Sequence, residues 1–553
     1  MRLGGDLRQE ERAVELGMVA CSQPVAGVTF VTDFKLPAPV LNVICRLATR
    51  TAHLDSSDFS ILIGRLERQA DERPQLYLVK VAGAAALGYA GVALVAIGIL
   101  AVCFLIIQSV VSVGKPSGWM VLAGAAGVAA LIAMIRSLGV RIAEPDDLQI
   151  TREEAPKLFA LIDDVAGKVN GAPFASVTVN GEFNVSIRAI PRWGVFGAYR
   201  NHLQLGVALL IALSVEEFTS VLAHEMGHFS GRNRVHAWIY RQRMTWSLLQ
   251  AKFAEPANTL DRMLASFYGW YASWFCAYSF ALARNHEYEA DHIAAAITSP
   301  ETVGRALTKL ELMGRFLSEV FWARFLAQVE KMPEPPYRPY SLLPRAFKVA
   351  EKEWSRQQWL TESLSRYAAE GDTHPSFAER LAALDVSPRL PAFAAESAVL
   401  TLLGPIAPRL INHCDEVWRA QNLANWRKRH DQIKEAHWKI AQYEQHASSA
   451  LGPEDLWAKA HLLFTVNRGA AGIETLQLLV ARSGTYPEAH LLLGRLLLAQ
   501  SDEHGLPHLI KAAEQNAELA STAGSIGYTY LVNRGRKGEA MRFWQRISPL
   551  LGD

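Results

Sequence analysis

Five consecutive residues, His224-Glu225-Met226-Gly227-His228, can do chemistry together. Two histidines four apart on a helix project from one face, one turn apart, so both imidazoles reach one metal ion. The glutamate beside the first histidine then reaches a water on that ion. This is the H-E-x-x-H pattern, in which the imidazoles hold zinc and the carboxylate is a general base. One Zn2+ per chain is expected.

The spacing has meaning only on a helix, and the flanking residues predict one. Ser214 precedes Val215-Glu216-Glu217, an S-x-x-E capping box with acids in the first turn. Val215, Phe218, Val221, Leu222 and Met226 recur at helical spacing and predict one buried face, with Gly231 as a stop. A catalytic zinc takes three protein ligands, so a third must come from elsewhere. The best candidate lies in residues 283–292, which are helical in pattern and hold Glu287 and Asp291 four apart on one face. Glu287 is assigned to the metal. Asp291 is placed to accept a hydrogen bond from a ligand histidine and fix its tautomer. His286, Glu289 and His292 compete for the ligand role, and periodicity alone does not exclude them.

His224–His228 followed by Arg284-x-x-Glu287-Tyr288-x-Ala290-Asp291 resembles the HtpX-like and CaaX-prenyl-endopeptidase group of membrane zinc metallopeptidases. The resemblance covers roughly residues 150–384. It implies that Glu287 is the third zinc ligand. Thr373-His374-Pro375-Ser376 is similar to the group's T-H-P segment, and Asn184-Val185 to a loose form of its N-A-F segment. Asn184 is therefore a candidate for substrate binding. His374 could line the cleft, polarise the scissile carbonyl, regulate as a fourth ligand, or simply start the helix at residues 376–384. The resemblance implies an endopeptidase in which Glu225 takes a proton from water and passes it to the leaving amine. The segment near Asn184, or residues 203–206, could pair with an extended substrate by strand addition.

Hydropathy gives the next signal. Residues 81–113 and 117–135 contain no charged residue, and a span needs about 20 apolar residues. They predict a transmembrane helical hairpin whose glycines allow close packing. Arg65, Arg68, Arg73 and Lys80 precede it and Arg136, Arg141 and Arg152 follow, so both termini and the zinc domain are expected in the cytoplasm. A third apolar run, residues 264–283, is rich in Trp, Tyr and Phe. It lies between His228 and Glu287, which must reach one ion, so the chain crosses an even number of times between them. The only partner run, residues 235–253, carries Arg241, Arg243 and Lys252. A domain helix in the membrane interface is the favoured reading, and a membrane hairpin, as in related proteins, stays open.

Half of the 553 residues are hydrophobic and the net charge is +2, which gives no sign of a nucleic-acid partner. Five scattered cysteines without C-x-x-C spacing fit a reducing compartment and exclude a cysteine metal site. Residues 1–15 are charged throughout, so no signal peptide is expected. Residues 28–34 predict a strand. Pro333, Pro335, Pro336, Pro339 and Pro344 predict an irregular surface loop. Pro453-Glu454 and Pro487-Glu488 stand 34 residues apart, the period of tetratricopeptide helix pairs, with a third unit from about Ser521.

The expected fold is mainly α. Residues 1–75 have no assigned role; 76–140 form the transmembrane hairpin; 141–390 form a zincin-type α+β metallopeptidase domain with a small sheet; 391–553 form tetratricopeptide-like (TPR-like) helical repeats. The expected protein is an integral membrane protease of a bacterial inner (plasma) membrane, acting in protein quality control. Its partners are protein or peptide substrates, the lipid bilayer, and a protein held at the C-terminal repeats. The rival reading is a membrane-anchored adaptor with an inactive or structural zinc site. Glu225 argues against it, because a structural site needs no general base.

Overall fold

The computed structural model describes residues 64–551 except 71, 114–116, 139–145, 194–195, 230–233, 253, 255–258, 367–373, 395, 448–449 and 533. The strand expected at residues 28–34, the stop at Gly231 and Thr373 lie outside the described residues. The chain forms two compact units, Met1–Phe325 with Tyr337–Arg419, and Leu326–Pro336 with Ala420–Asp553.

In the first unit, α1 (Pro74–Val113) has 40 residues. At about 1.5 Å per residue it is roughly 60 Å long, twice the thickness of a bilayer's hydrocarbon core. Its two halves differ. Tyr77, Val81, Ala84 and Ala85 are buried in a cluster with Trp246, Leu249, Tyr268, Tyr271 and Phe275. Further along, Leu94, Ile97, Leu100, Phe104, Leu105, Ile107 and Val111 are all exposed. α1 has the length and composition to cross a membrane. α2 (Gly118–Leu138) packs beside it, and its apolar stretch, Gly118–Ala129, is shorter.

The sheet is built from β1 (Leu148–Ile150), β2 (Phe174–Asn180), β3 (Val185–Trp193) and β4 (Phe196–Gly206), in the order β1-β2-β4-β3. β2 and β4 are parallel and the outer pairings antiparallel. Val177, Val179, Val185, Ile187, Leu203 and Leu205 alternate along their strands into the core. The chain after Asn180 folds back over the end of β4, where the Gly206 amide donates to the Asn184 carbonyl at 2.8 Å. A Cβ on Gly206 would collide with the Glu182 carbonyl oxygen, so glycine alone fits there.

Helix α3 (Pro156–Val169) follows β1 in the chain. After β4 come α4 (Val207–Ala212), buried along its whole length, and α5 (Val215–Gly227). The Ser214 capping box forms as predicted. The single buried face predicted for α5 does not hold: both sides are buried, because the helix is sandwiched among α3, β3, α8 (Phe280–Ile297) and α9 (Pro300–Phe316). Glu217, inside this sandwich, accepts from Lys309 Nζ at 2.8 Å with both side chains nearly inaccessible.

Between α5 and α8 the chain leaves and returns as an antiparallel pair, α6 (Arg234–Lys252) and α7 (Thr259–Tyr278). The third apolar run thus forms most of α7, packed on α6 and on the base of α1. Tyr77 donates to the Tyr278 carbonyl and Tyr271 to the Ala84 carbonyl, each at 2.6 Å. Arg243, one of the charges on the partner run, is accommodated by donating to the Cys276 carbonyl and Ser279 Oγ.

Pro339 and Pro344 do not lie in a loop; they sit in the helix Pro339–Val349. Asp415, distant in sequence, accepts from the Tyr340 and Ser341 amides at 2.7 and 3.2 Å and caps that helix. The chain after residue 391 stays in the first unit for some time, with Ala398–Leu403 packed on α4 and the Ala398 amide donating to the Leu213 carbonyl.

The second unit contains antiparallel helix pairs whose first helices start at Pro453, Pro487 and Ala520, close to the predicted period. Each packs on its successor, Gly469–Arg482, Gly505–Gln515 and Lys537–Ile547 respectively. Gly494 and Gly505 face each other so closely that a Cβ on either would meet the other's carbonyl oxygen.

Lys309→Met leaves the Glu217 carboxylate buried without its nearest cation. It should destabilise the first unit by about 3 kcal/mol. Denaturant melting compared with wild type measures this, and equal stability would show that Arg305, 4.0 Å from Glu217, suffices.

Candidate metal centre

α5 and α8 approach closely at small residues: a Cβ on Gly227 would stand 3.4 Å from Ala290 Cα. This closeness brings side chains from both helices to one point. His224 Nε2 and His228 Nε2 lie 3.2 Å apart. Glu287 Oε2 is 3.7 Å from the first and Oε1 is 3.4 Å from the second. Ligand atoms about 2.0–2.2 Å from a tetrahedral zinc stand roughly 3.3–3.6 Å from one another. The three groups are thus spaced like the edges of a zinc tetrahedron. They form the one buried group with metal-ligand spacing among the described residues. The helix ends at Gly227, so His228 occupies its cap position with helical φ and ψ and keeps the spacing intact.

Asp291 lies one turn beyond Glu287, and its Oδ1 is 2.9 Å from His224 Nδ1. A carboxylate only accepts, so His224 Nδ1 carries the proton and Nε2 offers its lone pair toward Glu287 and His228. This is the contact expected of Asp291. Arg380, which the sequence reading did not single out, holds the same carboxylate through Nε at 2.7 Å and a terminal nitrogen at 2.6 Å. It lies in the short helix Phe377–Ala383 and is itself buried. Burial pushes the Asp291 carboxyl up, but Arg380 and His224 outweigh it and hold it at about 2. Burial also opposes the charge of Glu287, and His374, His228 and His224 together pull its carboxyl well below the usual range.

Of the competing ligands, His292 is exposed and Glu289 half-buried. His286 is buried, but its Nδ1 faces His228 Nδ1 at 3.4 Å, on the far side of that ring from Glu287. Glu225 is buried beside the histidines on α5, and its charge is felt by Arg380. His374 reaches the cluster, with Nδ1 3.1 Å from Glu287 Oε2. Ser376 and Glu379 form a capping box just after it, so the segment does start a helix. Arg284 ties this segment to α8 by donating to both Glu379 oxygens at 2.9 Å.

Asn184 sits just before β3, with its carbonyl on the Gly206 amide. Its side-chain oxygen is buried and has no hydrogen-bond partner among the described residues. Residues 203–206 do not fit the strand-addition expectation. They lie in β4, which is paired with β2 on one side and β3 on the other. Among the described residues the sheet edges belong to β1 and β3, and β3 packs against α5.

The depressed Asp291 carboxyl contributes stability that is complete above its ordinary pKa of about 4 and is lost as pH falls toward 2. The metal-free protein should accordingly lose melting temperature between about pH 4 and pH 2, and Asp291→Asn should flatten that part of the profile. Arg380→Leu leaves the carboxylate buried without its cation and should cost about 3–5 kcal/mol at neutral pH. Melting series across pH for the three proteins check both statements; an unchanged Arg380→Leu profile would show that the clamp contributes nothing.

No curated protein and no solved structure matches the chain. Residues 195–387 match the model of peptidase family M48, a zinc-dependent family. The matched stretch holds every residue of the cluster, from His224 through Glu287 and Asp291 to His374 and Arg380, and leaves Asn184 outside. Geometry and match fall on the same stretch: residues 195–387 are similar to the zinc metallopeptidases of family M48, and His224, His228 and Glu287 within it could hold a metal ion.

Proposed function

We propose that the chain is a membrane-anchored zinc endopeptidase that cuts membrane or misfolded proteins. The observation that carries this reading is the tetrahedral spacing of His224, His228 and Glu287, with Asp291 fixing the His224 tautomer. Those three side chains would hold the zinc. A zinc ion bound there lowers the pKa of its water toward neutrality and polarises the scissile carbonyl. Glu225, next to His224 and buried, takes the water's proton on its carboxylate and hands it to the leaving nitrogen. The edge of β3, unpaired among the described residues, offers a main-chain ladder to an extended substrate, which orders the peptide without demanding a particular sequence.

Anchoring rests on α1. Its exposed apolar stretch around Leu94–Val111 covers about a bilayer's thickness, and a surface of this kind is costly in water. By the positive-inside rule, the arginines before and after the helices support a metal centre on the cytoplasmic side. The helix pairs of the second unit are read as tetratricopeptide-like repeats that recruit a protein partner or substrate.

Glu225→Gln keeps the shape of the site and removes the base. With an unfolded model protein as substrate, cleavage should fall by about 10²–10⁴-fold while zinc content stays at that of wild type. Loss of zinc together with activity would make Glu225 a structural residue. Alkaline washing of membranes tests the anchor: the full chain should stay with the lipid, and a chain lacking residues 94–135 should be released. Release of the full chain would remove the anchor from this reading.

A further inference from the structure

We infer that His286 is a positioning residue for the metal centre: its Nδ1 accepts the proton of His228 Nδ1 and so fixes the ring that turns Nε2 toward the ion. This rests on the zinc-holding role proposed above for His224, His228 and Glu287.

The two ligand histidines are backed differently. His224 has a charged acceptor behind it, the Asp291 carboxylate, itself clamped by Arg380. Behind His228 stands another imidazole. His228 Nε2 faces His224 Nε2 at 3.2 Å and Glu287 Oε1 at 3.4 Å, so the opposite nitrogen, Nδ1, points away from the ligand set. The atom it meets is His286 Nδ1, at 3.4 Å. A neutral imidazole that gives the Nε2 lone pair to a metal carries its proton on Nδ1. The facing nitrogen must then be bare, which puts the proton of His286 on its own Nε2. A proton on His286 Nδ1 as well would set two N–H groups against each other, and the reverse bond, with His286 donating, would put the His228 proton on the Nε2 that faces the ligand set.

The surroundings hold this geometry. His286 is buried and precedes Glu287 on α8, so one short stretch supplies a ligand and supports another. Tyr240, from α6, stacks on His228 with ring centroids 6.0 Å apart and planes 7° apart, and its ring is also 6.0 Å from His286. The two rings behind the ligand are thus wedged by a third. A neutral acceptor also adds no negative charge to a pocket that already buries Glu225, Glu287 and Asp291. A second carboxylate there would meet their repulsion.

The test is the zinc affinity of the full-length, detergent-purified chain, measured by chelator competition, beside the melting of the metal-free form. Asn at this position sets its amide oxygen near the place of imidazole Nδ1, whereas Gln carries it one bond further. His286→Leu and His286→Gln should each weaken zinc about 10–100-fold, and His286→Asn should recover most of the loss, with metal-free melting unchanged. Wild-type affinity in His286→Leu would overturn the inference. So would equal affinities of the Asn and Gln variants, which would reduce His286 to space filling. If His286→Leu fails to fold, the Asn and Gln pair decides alone. His224→Ala is the control for the underlying reading: if wild type binds zinc no more tightly than that variant, the metal site itself fails.

Discussion

The approach of α5 to α8 at Gly227 and Ala290 is the constraint from which the rest of the centre follows. A metal tetrahedron tolerates errors of a few tenths of an ångström, and its ligands come from helices separated by the whole α6–α7 excursion. Only close backbone contact between small residues lets side chains from two helices meet at separations of 3.4 to 3.7 Å. The sandwich around α5 then fixes that contact. Ser214 and Glu217 secure its start, Lys309 locks Glu217 to α9, and β3 closes one side.

Such a pocket concentrates charge where charge is expensive. Glu225, Glu287, Asp291 and Arg380 are all buried, and an unpaired ion there would cost several kcal/mol. The arrangement meets the cost in two ways. Asp291 and Arg380 neutralise each other through a two-point contact, which at the same time makes Asp291 a fixed acceptor for His224. Glu287 is surrounded by imidazoles that share its negative charge. The ion pair is thus at once a stabilising element and the device that sets a tautomer, and Arg380 itself lies 3.4 Å from His224 Nδ1, so a change there reaches the ligand both directly and through Asp291.

The legible part of the site was the part governed by helical periodicity. His224 and His228, Glu287 and Asp291, and the Ser214 capping box are local patterns, and each pair is four residues or fewer apart. What spacing does not encode is which residues a distant segment delivers. Arg380 is an ordinary helix arginine until the segment at 374–383 folds onto α8. His286 competes with Glu287 on sequence grounds, and one residue of helical rotation, about 100°, settles which faces the cluster and which stands behind it. The same limit explains Pro339 and Pro344, whose helix is capped by Asp415 from far along the chain, and residues 203–206, whose strand looks available until both neighbours are in place. The helices that carry the site were therefore readable, while edge against centre in the sheet was not.

The topological argument about crossings leads further than the site. Because α6 and α7 leave and return as a pair, the chain restores α8 to α5, and the pair is free to do something else. It packs on the base of α1 through Tyr77, Tyr271 and Phe275. Arg284 adds a polar link from the start of α8 to Glu67, just ahead of α1, and to Glu379, beside Arg380. The apolar helix and the metal centre therefore share α8 and the α6–α7 pair as common walls. A load on α1 is carried into the same elements that space the ligands, so anchoring a chain of this build would constrain its site as well as locate it.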